Sequence, residues 1–98
     1  MITTNQDLYY QYSDGKDLLR ASILEREQLL RELGNLAKAP QGQGSSEIIV
    51  RFDVARAQTL LFELSVLTEK IDSLVVLINN YAEKGGLPRV EMTETKLK

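Results

Sequence analysis

From Asp53 to Pro88 the chain keeps a seven-residue apolar repeat. Ala57, Leu64, Ile71 and Ile78 fill one heptad position, and Leu60, Leu67, Leu74 and Tyr81 fill another. Leu61, Thr68, Val75 and Ala82 widen this stripe to the three-position face used by bundle helices, broader than the seam of a bare two-stranded coil. The pattern predicts a helix over about 53–84. Asp53 can cap its first amides, and Gly85, Gly86 and Pro88 form a stop signal.

An earlier stretch, "LLRASILEREQLLREL", repeats the design. Leu19, Arg26 and Leu33 share one position, Ser22, Leu29 and Leu36 the next, and Ile23, Leu30 and Ala37 a third. The phase runs backward through Gly15 to Tyr12 and Leu8. It predicts one helix over about 4–38, opening at Thr4 with Asp7 three residues on, in place of a later start after "SDG". Gly34 falls off the apolar face and costs about 1 kcal/mol relative to Ala.

Between the two helices, Pro40, Gly42, Gly44, Ser45 and Ser46 predict a flexible linker over 39–46. The helices are then free to fold back on each other. β-Branched residues favour extended backbone, so short β-like segments are expected near 47–52 and 89–93, with "ITT" at 2–4 a weaker third. The last residues, 94–98, form a charged, loose tail. The expected fold is a single small, mainly α domain over 1–98: an antiparallel two-helix hairpin that dimerises into a four-helix bundle.

Dimerisation is expected because apolar residues remain after the seam is satisfied. Phe62, Val66, Val76 and Leu77 lie outside the stripe of the second helix, and Leu24 lies outside that of the first. A helix apolar on more than one face is normally covered on more than one face. The cover can be the loop and β-like segments of the same chain, a second copy, or a larger partner protein. Near the N-terminus Tyr12 is in phase with the core while Tyr10 points away, which makes Tyr10 a candidate contact residue.

Arg26 interrupts the leucines of the first helix. In an antiparallel hairpin its level on the second helix is near Val66, where Glu63 and Glu69 come within a turn of it. With Ser22 one turn earlier, these residues form a candidate polar seam. The aliphatic stem packs between the helices, the guanidinium reaches a flank carboxylate or water, and wrong registers leave a charge unpaired. The competing reading makes Arg26 an anchor for a partner's carboxylate or phosphate.

Composition narrows the function. Of 98 residues, 43% are hydrophobic and 27% charged, which suits a folded domain with a modest core. Net charge is −2 with Lys and Arg scattered among acids, so the basic footprint of a nucleic-acid binder is missing. With no Cys and no His there is no disulfide, thiolate nucleophile or His-based metal motif, and no cofactor loop stands in a strand–helix context. No leader and no membrane span are apparent, and a cytoplasmic location is expected. Glu25, Glu27, Glu32, Glu63, Glu69 and Asp72 supply carboxylates, yet their spacing matches solvated helix faces and yields no catalytic pair.

The expected function is therefore a non-enzymatic protein–protein interaction module acting as an adaptor, chaperone or inhibitor, without metal or cofactor, through an apolar helical face. The alternative is a small dimeric nucleic-acid-binding regulator with Arg20, Arg31, Lys38 and Arg51 on phosphates. Filter binding across salt concentrations separates the two.

Overall fold

A computed structural model describes residues 5–38 and 51–93. Helix α1 spans Asn5–Lys38 and helix α2 spans Val54–Gly85. The two pack against each other along their length. Their order of contact shows that they run antiparallel: Leu8 approaches Gly85, Gly15 faces Ile78, and Glu32 pairs with Arg56.

Local chemistry sets the ends of α2. The Asp53 carboxylate accepts from the Arg56 amide at 2.9 Å, satisfying a first-turn donor. At the far end Gly86 takes a left-handed conformation (φ 64°), and the Leu87 amide donates back to the Ala82 carbonyl at 2.8 Å. That bond closes a Schellman cap, and Leu87 packs onto the core as the accompanying apolar contact. Helix α1 passes unbroken through Ser13, Asp14 and Gly15. There the two helices approach so closely that a Cβ on Gly15 would lie 2.9 Å from Ile78 Cγ1. Gly15 is a packing residue, and Gly34 has nothing near it.

The core is the seam between the helices. Tyr12, Leu19, Leu67, Ile71, Val75, Ile78 and Ala82 form its buried cluster, with Ile23, Leu29, Leu74 and Tyr81 packed against it. The third position of the stripe behaves differently at the two ends. Ile23, Val75 and Ala82 are covered, whereas Leu30, Leu61 and Thr68 are exposed.

The cause is residues 87–93, which turn back after Gly86 and lie along one side of the hairpin as a strap. Asn79 holds it with two bonds to one residue: the Val90 amide donates to Oδ1 at 2.8 Å, and Nδ2 donates to the Val90 carbonyl at 3.0 Å. The Tyr12 hydroxyl donates to the Pro88 carbonyl at 2.6 Å, and Val90 packs on the core. The strap covers the third position only as far as it reaches.

The expected β-like segment at 89–93 is therefore corrected. Val90 is held by one asparagine side chain, and no strand forms among the described residues. Residues 47–50, the linker 39–46, "ITT" and the tail 94–98 lie outside the described residues. Arg51 and Phe52, the described end of the first β-like run, are not in a strand.

Candidate functional site

The strap divides the hairpin into a strapped side and an open side. On the open side, Glu25 of α1 and Phe62, Glu63, Val66, Leu67 and Lys70 of α2 line a shallow recess of about 430 Å³. Phe62 is 69% exposed and Val66 53%. Heptad packing turns Leu67 inward, so at 100° per residue Phe62 and Val66 are carried outward, with Leu77 in the same phase further along. Leu77 is 44% exposed and Leu18, on the facing edge of α1, 55%.

Phe62, Val66 and Leu77 therefore share the open side. Val76 and Leu24 are also exposed, but helical phase places each on the outer back of its own helix. Tyr10 is exposed near the start of α1, edge-on to Tyr9 at 6.2 Å, with its hydroxyl taken by the Gln6 amide at 3.4 Å. The expected surface is thus one coherent patch plus three separate residues. Leu18 and Lys70 belong with the patch. Sequence reasoning passed over Leu18 because it flanks Leu19 on the edge of the stripe, and which edge stays bare depends on where the strap lies.

The four candidate polar-seam residues are divided between the two sides of the hairpin. The antiparallel register sets Arg26 beside Leu67, close to the expected level, but Arg26 is turned toward the strapped side. There it lines a separate recess with Leu19, Ile23, Ile71, Val75 and strap residues Val90 to Thr93. Glu63 lines the recess on the other side and Glu69 is exposed. Among the described residues no ion pair joins Arg26 to either carboxylate. The inter-helix ion pair that does form is Arg56–Glu32, at 2.7 Å. Ser22 is 1% exposed, and its hydroxyl has no hydrogen-bond partner among the described residues.

The other candidate chemistry is dispersed. Arg20, Arg31 and Lys38 share the outer phase of α1 with Asp17 and Glu27, and Arg20 is engaged by Asp17 at 2.6 Å. Among the described residues there is no group of three or more carboxylates able to hold a metal ion. Among those residues, too, no helix is long and apolar enough to cross a membrane. Comparison of the chain with protein-family models, curated proteins and solved structures finds no match.

Proposed function

We propose that this chain is a protein–protein interaction module that works by docking, without catalysing a reaction, and that it self-associates through its open side. The observation that carries the reading is the uncovered row Phe62, Val66 and Leu77. Capping, seam packing and the strap are all in place around it, so nothing else in the described hairpin is left to bury it.

The single layer supports the same reading: among the described residues the two helices bury one seam against each other, which leaves the open side available to a partner.

Solution mass at micromolar concentration tests the proposal. The expected result is twice 11.1 kDa, reverting to the single-chain mass in Phe62→Asp with helicity retained. A monomer across the accessible concentration range overturns self-association. Nucleic-acid affinity that falls steeply with salt would replace this reading with phosphate contacts through Arg20, Arg31, Lys38 and Arg51.

A further inference from the structure

We infer that the occupant of the open side is a second copy of this chain, seated with the two α2 helices antiparallel and the two-fold axis close to Val66. The inference rests on the self-association reading and adds its orientation and register.

Charge placement carries it. Glu63 and Lys70 line the same recess on either side of Val66, one heptad apart and on the same edge of α2. Neither has an ion-pair partner among the described residues. When two helices pack antiparallel, each edge lies against the same edge of its partner. An axis near Val66 then puts Glu63 of each copy opposite Lys70 of the other, twice per dimer. An axis at Glu63 or at Lys70 would bring like charges together. A parallel pair would set this edge against the opposite edge of the face, where Glu69 and Asp72 stand and no basic residue meets Glu63.

Side-chain size agrees with this register. Counting outward from an axis at Val66 along the exposed face, Val66 meets Val66 of the second copy and Thr59 falls against Ser73, one heptad to either side. Small side chains flanking Val66 let the two helices approach closely. The arrangement is isologous, so it closes as a dimer and leaves no free end for further addition.

The chain has no cysteine, so introduced thiols report register directly. Thr59→Cys and Ser73→Cys are prepared separately, then oxidised alone and as a mixture. Covalent dimers that form in the mixture, each joining one Thr59→Cys chain to one Ser73→Cys chain, are the expected result, with neither variant linking to itself. In parallel, Glu63→Lys and Lys70→Glu should each weaken association by roughly tenfold or more, and the double exchange should restore most of it. Circular dichroism checks that each variant stays helical.

Self-linking of either single variant would overturn the antiparallel register. So would a protein that sediments as a dimer yet yields no mixed product, and in that case self-association itself would stand. A monomeric parent protein overturns both.

Discussion

Two glycines in one helix make opposite demands. Gly34 lies in α1 with nothing within 4 Å of the position a Cβ would take, so Gly34→Ala gains helix propensity at no steric cost. It should stabilise the fold by about 0.5–1 kcal/mol. Gly15→Ala gains the same propensity but drives its methyl to 2.9 Å from Ile78 Cγ1, in a side chain with no exposure. Overpacking of this kind typically costs 1–3 kcal/mol, and the net result should be destabilising by about 1 kcal/mol or more. Urea unfolding of the two variants measures both signs. Arg26 is the third informative residue. It is half-buried and has no ion pair among the described residues, and under the strap it lines a recess with Ile23, Ile71 and Val90 as well as Glu91. Arg26→Leu should leave stability unchanged or raise it by about 1 kcal/mol, because a partly desolvated charge is exchanged for a side chain that suits Ile23, Ile71 and Val90. Lost stability in the same unfolding assay would mean that the guanidinium has a partner worth more than its desolvation.

Among the elements, the strap rests on few interactions and is the place to test them. Asn79→Ala removes both bonds to Val90 and leaves its amide and carbonyl to water or to nothing, costing roughly 1–3 kcal/mol. Amide exchange at Val90 should accelerate in this variant while the middle of α2 stays protected. Equal acceleration in both would show that the strap and hairpin open as one unit. The strap also explains which parts of the fold were legible in advance. The helices announce themselves because a heptad is local: Leu60, Leu67 and Leu74 imply a face wherever they are placed, and Asp53 and Gly86 bound it with equally local chemistry. The run around Val90 suggests a strand, but what that segment meets is set by where α2 happens to present Asn79. That is a matter of tertiary placement, and no sheet propensity encodes it. The same dependence hid the surroundings of Arg26. Its level along α2 follows from counting, whereas the side toward which it turns, and hence its separation from Glu63, follows from the close approach at Gly15 and the position of the strap.

For the whole molecule, the dominant fact is thinness. Two helices in a single layer bury one seam, and α2 in particular turns Phe62, Val66 and Leu77 away from it. If these residues are buried by a second copy, folding and assembly share one free energy, and stability acquires a concentration dependence that no intrachain cover can imitate. A hundredfold rise in chain concentration adds about 2.7 kcal/mol per mole of dimer by mass action. With an unfolding entropy near 2.1 cal/mol/K per residue in each of two chains, that corresponds to a rise in thermal midpoint of roughly 5–10 °C. Phe62→Asp should abolish the dependence and lower the midpoint at high concentration most, where the parent dimer is most favoured. Calorimetry over that range reads both effects. A midpoint that stays constant in the parent chain would overturn the second copy as the occupant of the open side, because only a self-partner scales with the concentration of the protein itself.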